Sequence, residues 1–287
     1  MMTRQRHCLK LAEIELSYLE WNPGGEPILL LHGLGDCAVV WSQLAETLGS
    51  SYHVVAPDLR GHGESSKPDR GYTAAETIAD LEGLLDRLGW ESAHILGHSW
   101  SGKLAAIWAR QAPHRFKTAM LVDPIFITKL PGFLKLSFPI LYRTLACLKL
   151  GGPFATYEQA RQQARQLPQF AAWSPLQERV FEAEIEEKAD GRWGSKFAIA
   201  ARDGIFDDVM RTSGLTETIA VPTLFVQPQA GVNRSEWQMK PYRKYLQNLQ
   251  IVRVPGNHWP FLVESDVFNQ TIADFLKNFS EASPAIA

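Results

Sequence analysis

The eight residues ILGHSWSG at 95–102 constrain the fold more than any other stretch of the chain. An apolar run stops at Gly97, Ser99 follows two residues later, and a helix-like sequence begins at Trp100. The pattern is a strand, a sharp turn carrying a serine, then a helix. Such a turn projects the hydroxyl away from the sheet and sets the free N–H groups of a helix N-terminus beside it. The match to G-x-S-x-G is incomplete, because Ser101 holds the last position and Gly102 comes one place later. Serine is small enough to keep the helix close to the strand.

The surrounding chain alternates strand and helix patterns. PILLL at 27–31 and YHVVA at 52–56 are short apolar runs, the pattern of strands buried on both faces of a parallel sheet. Residues 92–96, 118–122, 222–226 and 249–254 continue the series, with helices expected over 39–48, 73–88, 100–111, 236–247 and 266–279. Thr73 and Glu76 form a capping box at one helix start, and Gly89 closes that helix. Residues 9–21 alternate in two pieces and predict a hairpin. Strands and helices at this spacing imply a parallel sheet with right-handed crossovers, whose ligands sit at the carboxyl ends of the strands. Asp36, Asp58, Ser99 and Asp123 all fall at such ends. From 125 to 215 the rhythm lapses into helical patterns, including 157–167 and 175–190. The chain is therefore read as an α/β core of residues 1–124 and 216–287 with a helical cap at 125–215, packed over the ligand-binding edge. A tail from 280 onward is expected to fray.

Composition narrows the partners. Among 287 residues, 29 basic and 31 acidic side chains nearly cancel, so no global field draws in nucleic acid or an anionic membrane. Cys8, Cys37 and Cys147 are odd in number and far apart, which argues against a disulfide framework or a zinc site. No signal-peptide core and no spanning-length apolar run occur, so the expected location is cytoplasmic, without stable membrane insertion.

Five blocks, LLLHGLGD, PDLRGHGES, GHSWSG, LVDP and PGNHWP, stand in an order and spacing that resembles the α/β-hydrolase fold superfamily. The resemblance covers the chain outside the cap. It implies a mostly parallel sheet flanked by helices, Ser99 as nucleophile, and His258, late in the chain, as its base. A serine hydroxyl is a poor nucleophile at neutral pH and needs such a base. The oxyanion would be held by the backbone N–H groups of Leu34 and Trp100. His32, His62 and Asp58 are expected to brace loops, and His7, His53, His94 and His114 to be filler.

The acid has two candidates. Most of the family carries it after the strand at 222–226, but that loop reads QPQAGVNRS and has no carboxylate before Glu236. Asp123 ends the strand after the nucleophile's helix, a position some members of the superfamily use, and is preferred. Trp100 after the serine is similar to the GHDW of dehalogenases and epoxide hydrolases. Their chemistry needs an aspartate nucleophile, so here the indole is read as a pocket wall. Cys37 lacks the surroundings that activate a thiolate and is read as packing.

The expected activity is cofactor-independent, metal-free hydrolysis of a carboxylic ester, lactone or thioester through Ser99, His258 and Asp123. The apolar stretch 130–150 is expected to wall the pocket and to select a small-molecule substrate with an apolar acyl or alcohol group. A carbon–carbon bond hydrolase with the same residues, and a hydrolase-derived receptor with little turnover, stay open as alternatives.

Overall fold

A computed structural model describes residues 4–129 and 131–282; residues 1–3, Leu130 and 283–287, including most of the expected tail, lie outside the described residues. In chain order the strands are β1 (Gln5–Lys10), β2 (Glu15–Trp21), β3 (Glu26–Leu31), β4 (Tyr52–Pro57), β5 (Ala93–His98), β6 (Phe116–Val122), β7 (Ile185–Glu187), β8 (Trp193–Ser195), β9 (Thr223–Ala230) and β10 (Leu249–Asn257). The helices are α1 (Ser42–Leu48), α2 (Ala74–Leu88), α3 (Trp100–Gln111), α4 (Phe138–Thr144), α5 (Tyr157–Ala164), α6 (Pro175–Glu184), α7 (Ile199–Arg211), α8 (Glu236–Tyr245), α9 (Pro260–Val263) and α10 (Ser265–Ala282).

Eight strands form one sheet in the order β1-β2-β4-β3-β5-β6-β9-β10. The pairs β1–β2 and β2–β4 are antiparallel and the rest are parallel. This is the mostly parallel α/β sheet read from the sequence. The chain steps from β3 to β4 on one side and returns to β5 on the other, so the strand order reverses between β3 and β5. A crevice opens at the carboxyl ends of strands at such a point.

Period-two alternation sorts the apolar side chains onto two faces. Leu29, Leu31, Ile95, Leu121 and Phe225 point into a core built with α2, α3, α7 and α8. Their neighbours Ile28, Leu30, Leu96, Met120, Leu224 and Val226 point into a second core with α1, α5, α6 and α10. Both faces being covered explains the unbroken apolar runs. The capping box of α2 is made by Thr73 and Glu76, and Gly89 ends that helix at φ 71°, where a side chain would be strained.

The segment between β6 and β9 departs from an all-helical insertion: β7 and β8 pair as a short antiparallel ribbon where helix was expected to continue to 190. Ile185 ends α6 in extended backbone, which terminates the helical turn. Helix α7 is tied to the sheet-flanking helices. Lys103 of α3, buried, donates to the Val209 carbonyl at 3.1 Å, and burial draws its pKa down to about 8. Asp208 accepts the Ala74 N–H at the start of α2 at 3.2 Å. Among the described residues no helix is long and apolar enough to cross a membrane.

Candidate active site

The turn after β5 is built by close packing. A Cβ at Gly97 would collide with the Ser101 carbonyl oxygen, and one at Gly102 would lie 3.0 Å from the Gly97 oxygen. Strand and helix can therefore meet only through glycines. Ser101 does more than stay small. Its buried Oγ accepts the His98 N–H at 3.0 Å and lies 2.8 Å from the Leu31 carbonyl, stitching the turn to β3. The displaced glycine of the motif thus has a physical reason, and the serine at the last motif position was its only signal.

Ser99 sits at φ 58°, ψ −118°, a region that non-glycine residues occupy only when their surroundings hold them. Its N–H donates to the Val122 carbonyl at 2.9 Å and its carbonyl accepts the Ile125 N–H at 3.2 Å. Those bonds lock the turn to the end of β6. Its hydroxyl is 2.8 Å from His258 Nε2, and His258 Nδ1 is 2.6 Å from Asp123 Oδ2. A carboxylate accepts, so Nδ1 carries the proton and Nε2 is left to accept from Oγ. His258 follows β10, where a register shift between Val254 and Asn257, with Gly256 at φ 93°, aims the ring at the serine.

Asp123, fully buried at φ 42°, is cradled by the loop after β9. Val232 N–H donates to Oδ2 at 2.7 Å, and Asn233 donates to Oδ1 through its backbone at 3.0 Å and its side chain at 2.9 Å. Burial pushes the carboxyl pKa up, but the hydrogen bond and charge of His258 together with the Asn233 and Val232 N–H groups outweigh it, and the net pKa lies below the ordinary value. Glu236 is elsewhere: its side chain is 77% exposed and pairs with Arg243 at 3.3 Å. The 227–235 loop, the family's usual place for the acid, carries no carboxylate here. It is a donor cradle for a carboxylate on the neighbouring strand, and GVN at 231–233 was the available clue. A Cβ at Gly231 would lie 2.5 Å from Asp123 Oδ2.

A depressed carboxylate pKa stabilises the fold above the unfolded value and loses that contribution as pH falls through the folded value. The unfolding free energy of wild type minus that of Asp123→Asn is therefore expected to be constant above about pH 5 and to shrink on acidification. Urea midpoints across that range check it, and a gap that widens in acid contradicts it.

The loop after β3 lies against the turn, with Gly33 packed on His98 and Leu34 sharing a cavity with Trp100. Its His32 is buried, hydrogen-bonded through Nδ1 to the Gly33 carbonyl at 2.8 Å and through Nε2 to the Leu59 N–H at 3.0 Å. Burial lowers its pKa, against the pull of Asp58, so it is a neutral brace. Asp58 accepts Ala38 N–H at 2.7 Å and Arg6 Nη1 at 2.6 Å. Leu34 and Trp100 line one small apolar cavity, together with Ile125, Phe126, Ile205, Phe206 and Val209. Trp100 opens α3, where a first-turn N–H has no intrahelical partner. His98 was not singled out by the sequence: its Nε2 donates to the His258 carbonyl at 2.8 Å, and its Nδ1 lies 3.5 Å from Asp36 Oδ2. A Cβ at Gly33 would lie 2.6 Å from that Nδ1. Cys37 is buried and its thiol pKa is pushed well up by desolvation, consistent with packing.

Among the described residues of 130–150, none lines this cavity, contrary to expectation. Phe133, Leu136 and Ile140 face solvent, while Phe138 and Tyr142 pack on Phe206 with ring centroids 5.3 and 5.0 Å apart. The walls come instead from 125–126 and α7.

A serine on a strained strand–helix turn, hydrogen-bonded through a histidine to a buried carboxylate on a mostly parallel sheet, defines a hydrolase-type α/β protein. The family model described as alpha/beta hydrolase fold matches residues 26–266, and the chain belongs to that family. Among curated relatives, a soluble epoxide hydrolase of a Corynebacterium species is 34% identical over 119 residues, 40% of this chain and 40% of that protein. The dihydrolipoyllysine-residue acetyltransferase component of the acetoin cleaving system of Cupriavidus necator is 38% identical over 112 residues, 39% of this chain and 30% of that protein. The chain thus spans well under half the length of these relatives. Among solved structures, E-2-(acetamidomethylene)succinate hydrolase superposes with a TM-score of 0.80 at 21% identity, covering 96% of this chain and 100% of that one. An enol-lactonase from Burkholderia xenovorans gives 0.69 at 20% identity, covering 94% and 100%.

Proposed function

We propose that the protein is a serine hydrolase of carboxylic esters, lactones or thioesters. The observation that carries this reading is the line of hydrogen bonds from Ser99 Oγ through His258 to Asp123, at 2.8 and 2.6 Å. In this mechanism Oγ attacks the acyl carbon as its proton passes to Nε2. Asp123 keeps the ring oriented and stabilises the imidazolium. The N–H groups of Leu34 and Trp100 receive the oxyanion, each such donor contributing about 2.7–4 kcal/mol in the transition state. The imidazolium returns its proton to the leaving group, and water, activated by the same histidine, releases the acid.

Residues 125–215 act in this reading as a cap on a core of 1–124 and 216–287, with α7 covering the carbonyl site. The side chains of Phe126, Ile205, Phe206 and Val209, gathered beside Leu34 and Trp100 around a void of about 10 Å³, make these surroundings apolar and so support an apolar acyl or alcohol group. The epoxide hydrolase relatives do not transfer their activity, because ring opening through an alkyl-enzyme ester needs a carboxylate nucleophile where this chain has Ser99. A panel of neutral p-nitrophenyl esters of graded chain length, a short charged ester, a β-diketone and an epoxide tests the reading. Multiple turnover of medium-chain esters above short charged ones is expected. Turnover of the diketone alone favours the carbon–carbon hydrolase, and binding without turnover favours the receptor.

A further inference from the structure

A second, larger cleft of about 490 Å³ shares Phe126 with the small cavity of Leu34 and Trp100. Its floor is apolar, with Phe126, Ile127, Leu215 and Tyr245. Phe126 also lines the small cavity of Leu34 and Trp100, so one side chain partitions the two spaces. That residue is held at φ 52°, a left-handed conformation that a bulky side chain adopts only under constraint. Val232 and Asn233, which hold Asp123, form part of the same wall. The cleft is thus joined to the site at two places, through Phe126 on the cavity of Leu34 and Trp100 and through Val232 and Asn233 on Asp123.

The rim has the opposite character. Lys240 and Lys244 lie four residues apart on α8, hence on one face of the helix, and both line the cleft. Neither is in an ion pair among the described residues; the α8 carboxylate of Glu236 is engaged by Arg243 instead. The Lys244 ammonium stands 4.7 Å from the centre of the Tyr245 ring, against the cleft wall. Trp237, at the same edge, is 80% exposed, an unusual state for so large an apolar surface. Among the described residues no carboxylate lines this cleft, and Glu236 borders only the outer cleft beside it, with Arg243 and the two lysines.

We propose that this cleft is the binding subsite for an amphipathic anion: an alkyl or acyl chain lies along Trp237 and the apolar floor, and its carboxylate or phosphate headgroup is held by Lys240 and Lys244. Resting on the hydrolase reading, the substrate class becomes an ester or thioester that carries a negative charge at the end of a medium-length chain remote from the scissile carbonyl. Charge at the rim supplies selectivity and attraction, while burial of the chain supplies most of the affinity.

Binding and turnover test it separately. Wild-type protein and the double variant Lys240→Gln/Lys244→Gln, with folding checked by circular dichroism, are titrated calorimetrically with decanoate, decyl phosphate and neutral decanol. The anions are expected to bind more tightly than the alcohol, to weaken about tenfold in the double variant and with added salt, and to leave decanol binding unchanged. The tighter of the two anions names the headgroup as carboxylate or phosphate. Anions that bind no better than decanol, or that bind the double variant equally well, overturn the subsite. In the kinetic arm, a p-nitrophenyl ester with a terminal carboxylate should show a raised KM and an unchanged kcat in the double variant, and a neutral ester of equal length no change. Equal effects on both esters overturn the assignment to an anionic headgroup. If the anions bind as expected but no ester turns over, the subsite stands and the hydrolase reading fails.

Discussion

Ser99→Ala is expected to lower ester turnover by a factor on the order of 10⁴ to 10⁶, with His258→Ala as damaging and the double variant no worse than either alone. The non-additivity follows from the geometry. Oγ is 2.8 Å from Nε2, and each group is chemically idle without the other: the hydroxyl keeps its proton, or the base has nothing to deprotonate. What survives in either variant is the contribution of the oxyanion donors and of substrate binding, which neither substitution touches. Steady-state kinetics on the best ester of the panel measure this. Additive losses would mean that the two side chains act in separate steps.

Asp123→Asn carries the second large effect, a loss of about 10⁴ in kcat, while Glu236→Gln stays near wild type. The cradle explains why so small a change matters. Val232 and Asn233 present N–H groups to the carboxyl, so an amide there turns its oxygen toward them and its NH₂ toward His258. The ring nitrogen facing it must then accept, the proton moves to Nε2, and the base that Ser99 needs becomes a donor. Kinetics of the two variants side by side check the assignment. Retained turnover in Asp123→Asn with loss in Glu236→Gln would transfer the acid to α8.

The apolar runs at 27–31 and 118–122 made the parallel sheet legible because both faces of those strands are covered, which leaves no alternation to blur the pattern. The meeting of Ser99, Asp123 and His258 was legible for a different reason: each directly follows a strand of that sheet, so order along the chain translates into neighbourhood at one edge. The supporting shell was not. Ser101, Val232, Asn233 and His98 act through backbone groups or through bonds to residues far away in the chain, and composition carries no trace of such pairings. The cleft walls were misread for a related reason. Hydrophobicity in 130–150 marks apolar residues without telling which of them face α7 and which face solvent, and Phe133, Leu136 and Ile140 face outward. The small cavity is walled instead by residues 125–126 and α7 beside Leu34 and Trp100, and the larger cleft by residues 126–128, Leu215, 232–233 and α8, segments whose sequences look ordinary alone.

Ser99 is expected to form a covalent bond to the substrate's reacting centre. Treatment with a fluorophosphonate, followed by intact-mass measurement and peptide mapping, tests it most directly. A single adduct is expected on the peptide bearing Ser99, absent in Ser99→Ala and strongly slowed in His258→Ala. Folded protein that turns over esters yet takes up no label, or carries it on another residue, would rule out Ser99 as the nucleophile.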